Sequence, residues 1–158
     1  MAERRIRSSG WIRALRGDAP PSAAIALHAL LLPMAALAAV VVAGGIGAFD
    51  EDRATAALLW LGAIALAFLA GARFGRGLSA SPRQIVLTAI PPLAGWAALL
   101  LPAAPALVVM GVAHAAQGLW DVWSADGIRL PAWYGGLRAR TTPIAVTLLV
   151  AAFFAGGV

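Results

Sequence analysis

The chain has no cysteine and no lysine. Without cysteine there is no disulfide framework, no thiolate metal site and no cysteine nucleophile. Charge is scarce too: 12% of the 158 residues are charged, half the usual share of a soluble domain. No nucleophile–base–acid set, metal-ligand cluster or phosphate loop is present. We therefore expect no enzyme and no metal site. What fills the space is oil. Hydrophobic residues make up 61% and mean hydropathy is +0.85, more apolar surface than a soluble domain of this length can hide. The length allows one domain.

Five apolar runs stand out, at about 23–43, 54–72, 84–101, 103–120 and 142–158. A bilayer core about 30 Å thick needs about 20 helical residues, with about 17 as the lower limit. The runs are rich in alanine and leucine and do not alternate, which excludes the strands of a barrel. Only helices remain, because lipid offers backbone groups no other partner. The expected fold is all-α: a basic N-terminal segment, 1–22, then a polytopic membrane bundle of about five transmembrane helices over 23–158, with a loop at 121–141.

All twelve basic residues are arginine, and they set a net charge of +5. Eleven of them fall in alternate segments: Arg4, Arg5, Arg7, Arg13 and Arg16 before the first run, Arg73, Arg76 and Arg83 after the second, and Arg129, Arg138 and Arg140 after the fourth. The loop 44–53 carries Asp50, Glu51 and Asp52 with Arg53 alone, and Pro102 sits in a neutral turn. That is the positive-inside pattern, with the N-terminus cytoplasmic and the C-terminus outside. It accounts for the arginines without nucleic acid. The absence of lysine and the wealth of alanine fit a GC-rich bacterial genome, so the expected location is a bacterial inner membrane. The first run exceeds a signal-peptide core, so a cleaved leader is not expected. Trp11, Ile12 and Leu15 could place a short helical face at the headgroups.

Residues 130–143, LPAWYGGLRARTTP, crowd prolines, glycines, aromatics and arginines between two apolar runs. As a cytoplasmic loop they would hold Trp133 and Tyr134 at headgroup level and turn Arg138 and Arg140 to anionic lipid. Pro131 would stop a helix and Gly135–Gly136 permit a turn. This is also where a partner would dock.

The same residues resemble the Pro-x-Trp-Tyr-x-x-Leu-Arg-x-x-x-Thr signature of an uncharacterised membrane family, domain of unknown function 3429, related to mitochondrial transmembrane protein 69. The matching positions are Pro131, Trp133, Tyr134, Leu137, Arg138 and Thr142. FLAGARFG at 68–75 is similar to the family's Gly-rich Arg-aromatic-Gly segment, with Ala72 in place of a second glycine and Phe74 in place of tryptophan. LLLPM at 30–34 is similar to its first-helix proline. The resemblance implies several membrane helices and no assigned reaction.

Polar groups inside a bilayer are costly, which makes each a candidate. His28 and His114 lie at matched depth, about 8–10 Å below one surface, where two histidines could ligate a haem. His114, Gln117 and Asp121 recur at i, i+3 and i+7 and share a helix face. They could relay protons or hold a quinone. The plainer reading is a polar seam that fixes packing, with Asp121 near water and pairing with an arginine, and we expect no cofactor. Ala67, Gly71 and Gly75, four apart, form a small-residue stripe for close helix packing. GRGLSA at 75–80 mimics a dinucleotide fingerprint, but it follows a helix and position 96 is Trp, not a ribose-binding acid. Pro91–Pro92 should kink the third helix, with Thr88 covering the freed carbonyls of Leu87 and Thr88. Asp50, Glu51 and Asp52 read as a solvated turn. Together these readings point to a structural, accessory or assembly component of a larger membrane complex, possible partners being other membrane subunits. The competing reading is a small carrier or redox module built on the His/Gln/Asp face.

Overall fold

The computed structural model describes residues 19–77, 82–125 and 130–156. The basic lead with Trp11, Ile12 and Leu15 lies outside them, as does Arg129. The helices are α1 (Pro21–Val42), α2 (Glu51–Gly77), α3 (Pro82–Leu87), α4 (Ile90–Ala98), α5 (Ala103–Trp123) and α6 (Ala132–Gly156), and no strand occurs among the described residues. Four of them, α1, α2, α5 and α6, are long and apolar enough to cross a membrane.

Local chemistry sets the ends. Pro21 opens α1, where its missing N–H costs nothing, and the N–H groups of Ala23 and Ala24 bond to the Pro20 carbonyl at 3.0 and 3.1 Å. Gly44 closes the helix at φ +72°, with Gly44 N–H to Val41 O and Gly45 N–H to Val40 O, both 2.9 Å. That pairing satisfies the last carbonyls and needs a left-handed residue, hence glycine. Asp50 then starts α2: its Oδ1 accepts the Arg53 N–H at 2.8 Å, and Glu51 and Asp52 occupy the first turn. The acidic triplet thus caps α2 and faces the positive end of its dipole, with Asp50 and Asp52 exposed to solvent as expected.

The third apolar run is divided. Pro91 and Pro92 lie in the first turn of α4, and Thr88 and Ala89 form a turn between α3 and α4. Neither proline can donate to the carbonyl four residues back. The Thr88 hydroxyl bonds to Ile85 O at 2.6 Å, so it closes the end of α3 and does not cover the carbonyls of Leu87 and Thr88. A full break replaces the expected kink.

The last helix begins at Ala132, about ten residues before the expected start, so the second half of the loop assigned to 121–141 is helical. Pro131 is its N-terminal boundary, accepting the N–H groups of Tyr134 and Gly135 at 3.0 and 3.5 Å. Proline opens helices as readily as it ends them.

The four long helices form a ring in which α1 packs on α2 and α6, α5 on α2 and α6, and α4 sits against both α2 and α5. Met34, Leu58, Leu66, Leu107, Met110 and Leu149 fill the centre. Large apolar side chains also cover the outside: Ile25, Leu32, Trp60, Leu93, Val112 and Phe154 are each more than half exposed. A surface of this kind is solvated by lipid, and the chain is a membrane-embedded helical protein.

Between helices in lipid the hydrophobic effect is weak, and close fit takes its place. Gly62 admits Met110, whose Cγ would lie 3.1 Å from an added Cβ, and Gly95 admits Leu66 at the same distance. The stripe expected to do this does not. Ala67, Gly71 and Gly75 are exposed, and a Cβ at Gly71 or Gly75 would meet nothing within 4 Å. Leu58, Leu66 and Leu69 turn the opposite face of α2 inward.

Candidate functional site

The predicted face of α5 exists. His114, Gln117 and Asp121 are exposed by 2%, 1% and 0%, and a spacing of seven residues puts about 10 Å between the first and last. His114 Nε2 bonds to the Gly62 carbonyl at 3.1 Å. His28 does not join it. It lies on the exposed face of α1, and its Nδ1 bonds to Ala24 O of its own helix at 2.7 Å. The two histidines therefore do not face one another across a shared pocket, and the arrangement expected for a bis-histidine haem is not formed.

Asp121 is held from two sides. Arg73 of α2 places Nε 2.6 Å from Oδ1, and Arg138 of α6 places Nε 2.8 Å from Oδ2. These are charge-assisted distances. Arg73 also donates through Nη2 to Trp120 O at 3.0 Å and to Ser124 Oγ at 2.7 Å, and its guanidinium lies 3.9 Å from the centre of the Trp120 ring. Ser124 Oγ in turn donates to Trp120 O at 2.7 Å. One carboxylate thus joins three helices near the end of the bundle opposite the Asp50 cap. With both oxygens engaged and no exposed surface, it offers a substrate no face. Among the described residues, no three His, Asp or Glu side chains come close enough to hold a metal ion.

The residues of the late signature now have places. Pro131 opens α6. Trp133 is half-buried against Leu27, Leu69 and Leu137, with its ring edge-on to Tyr134 at 6.0 Å. Tyr134, Leu137 and Arg138 are buried. Gly135 lies so close to Ala125 that a Cβ there would collide with it, and Thr142 lies equally close to Gly118. Gly135 and Thr142 are thus where α6 seats closely on α5 and the residues just after it. Tyr134 and Arg138 point into the protein, where a loop would have turned them to headgroups and anionic lipid. The cost of burying Arg138 is met by Asp121, a partner seventeen positions upstream.

Sequence reasoning missed Arg73 as a member of the site. It counted as one of the alternating topology charges, and the only local hint was its place in the Arg-aromatic-Gly segment. Three buried polar groups remain without partners among the described residues: the Gln117 amide, Arg138 Nη2 and the Thr142 hydroxyl. The Gln117 amide is orphaned at both Nε2 and Oε1.

No curated protein and no solved structure matches the chain. A family described as "Protein of unknown function (DUF3429)" matches residues 19–154, a span that takes in α1, α2, α5, nearly all of α6 and the clasp on Asp121. The chain belongs to the DUF3429 family.

Proposed function

We propose that this protein is a structural or accessory component of a larger complex in a bacterial inner membrane, with no reaction of its own. The observation that carries this reading is the way the intramembrane polar groups are spent. His114 is bonded to Gly62 and Asp121 is clasped by Arg73 and Arg138, so the α5 face acts chiefly as a seam between helices, while the perimeter is apolar on every side. Such a body stabilises neighbours by contact. The resemblance of the late signature to the relatives of mitochondrial transmembrane protein 69 favours an energy-transducing complex, by analogy only. Affinity purification in mild detergent is expected to bring down other membrane subunits in fixed stoichiometry. A protein that runs alone at its own 16.1 kDa plus micelle, or one that carries a haem Soret band, overturns the reading.

The orientation belongs to the same proposal. The broken pair α3–α4 spans 82–98, enough for a fifth crossing at the lower limit, and the arginine pattern then places the N-terminus in the cytoplasm. A reporter fused after Val158 is expected to be active only outside the cytoplasm. Activity on the cytoplasmic side instead overturns this orientation.

A further inference from the structure

The outer face of α1 carries an imidazole where lipid alone would call for an apolar side chain. His28 is exposed there, about 8–10 Å below the membrane surface. Its Nδ1 must donate to reach the Ala24 carbonyl at 2.7 Å, so Nε2 of the neutral ring is left as an acceptor. That nitrogen has no hydrogen-bond partner among the described residues. A second acceptor stands beside it. Pro33, inside α1, has no N–H to give the Ala29 carbonyl, and both residues are exposed. No serine, threonine, asparagine or glutamine lies between Ala23 and Val42 to cover either group. Lipid tails offer no donor.

We propose that the outer face of α1 docks a transmembrane helix of another subunit, one that presents a side-chain N–H or O–H at the depth of His28. The chemistry of the face sets that of the partner. Two acceptors without a donor call for donors, and each bond made inside the bilayer relieves an unmet polar group. An acyl chain would cover the face and leave both acceptors as they are. A second copy of this chain, docked face to face, would bring two further acceptors. Ala29, Leu32 and Ala36 share the face at spacings of three and four, and the two alanines let a neighbouring backbone come close. Of the four long helices α1 is also the least buried within the protein, so most of its surface is left for a neighbour. The inference rests on the accessory reading and names the surface through which that role is exercised.

The test places the photocrosslinker p-benzoylphenylalanine at Leu32 of the full chain in host membranes diluted with liposome lipid. Val112, exposed on α5, is the control position. The expected result is one discrete crosslink from Leu32 to a transmembrane segment of another protein. Mass spectrometry should find a serine, threonine, asparagine, glutamine or tryptophan within one turn of the crosslinked residue. His28→Leu deletes the first acceptor, and Pro33→Ala returns an N–H to the Ala29 carbonyl. Both change exposed positions and leave the core intact. Each should lower the yield about threefold, one intramembrane hydrogen bond's worth, whereas His28→Gln, whose amide oxygen accepts, should keep it. A crosslink to a second copy, a partner segment without a donor, or a yield unchanged in either variant overturns the proposal. Partner subunits that co-purify in fixed stoichiometry but crosslink from Val112 and not from Leu32 overturn it too, and leave the accessory reading standing. No partner in either experiment removes both.

Discussion

Asp121→Asn is expected to be the most damaging single substitution of a charged residue in this protein. The wild-type clasp holds two guanidinium groups and one carboxylate, a net charge of +1 shared by Arg73, Asp121 and Arg138. Removing the carboxylate leaves two buried cations facing each other, a net +2 with no counter-charge among their contacts. Breaking a buried pair in this way costs about 3–5 kcal/mol. Removing Arg138 as Arg138→Met instead leaves a neutral Arg73–Asp121 pair, and the long apolar side chain keeps most of the packing. The ordering is therefore the sharp part of the prediction: Asp121→Asn lowers the detergent melting temperature by about 10 °C, and Arg138→Met by clearly less. Replacing all three residues with apolar ones of similar volume should recover much of the loss. An Asp121→Asn protein that melts with the wild type, or an Arg138→Met protein that is the worse of the two, would remove the clasp from its place at the centre of the fold.

The sequence carried one of the three members of that cluster openly. Asp121 was legible because a spacing of three and seven from Gln117 and His114 puts all three on one helical face, and an acid within an apolar run needs a reason to be there. That an arginine would pair with it was legible; which ones was not. Arginines near the end of a membrane span satisfy the positive-inside rule whether the guanidinium reaches out to headgroups or folds back into the bundle. Arg73 and Arg138 do the second, and only the presence of Asp121 on a neighbouring helix distinguishes the cases. Neighbourhood between helices is not written in hydropathy.

The start of α6 was hidden for a different reason. Pro131, Gly135 and Gly136 are turn signals by local propensity, but propensity is a weak prior where tertiary packing decides. Gly135 is glycine because α6 must approach Ala125, and its cost in helix stability is offset by the fit that the approach permits. The stripe at Ala67, Gly71 and Gly75 shows the converse. The period was right for close packing, yet period alone does not say which face of a helix turns inward, and here the larger side chains on the opposite face take the interior.

That contrast yields a second prediction of large effect. Gly118→Ala would place its Cβ on the side chain of Thr142, reaching Oγ1, Cγ2 and even Cβ. The obstacle is the branched root of a residue on a packed helix, not the tip of a flexible chain, so α5 and α6 must move apart. They are the most extensively packed pair of helices in the bundle, and the contact lies one turn below the clasp, so separation also stretches Arg138 from Asp121. Overpacking of this kind costs about 1–3 kcal/mol, and Gly118→Leu should prevent folding. Gly71→Ala, at an open position on α2, is the control and should be neutral or stabilising by up to about 1 kcal/mol. Thr142→Gly removes the obstacle at a helix-propensity cost of about 0.5 kcal/mol. In the Gly118→Ala, Thr142→Gly double variant the two losses should not add, with a coupling of about 0.5–3 kcal/mol in thermal melts. Additive losses, or a Gly118→Ala protein as stable as its Gly71→Ala counterpart, would mean that α5 and α6 do not meet at this point.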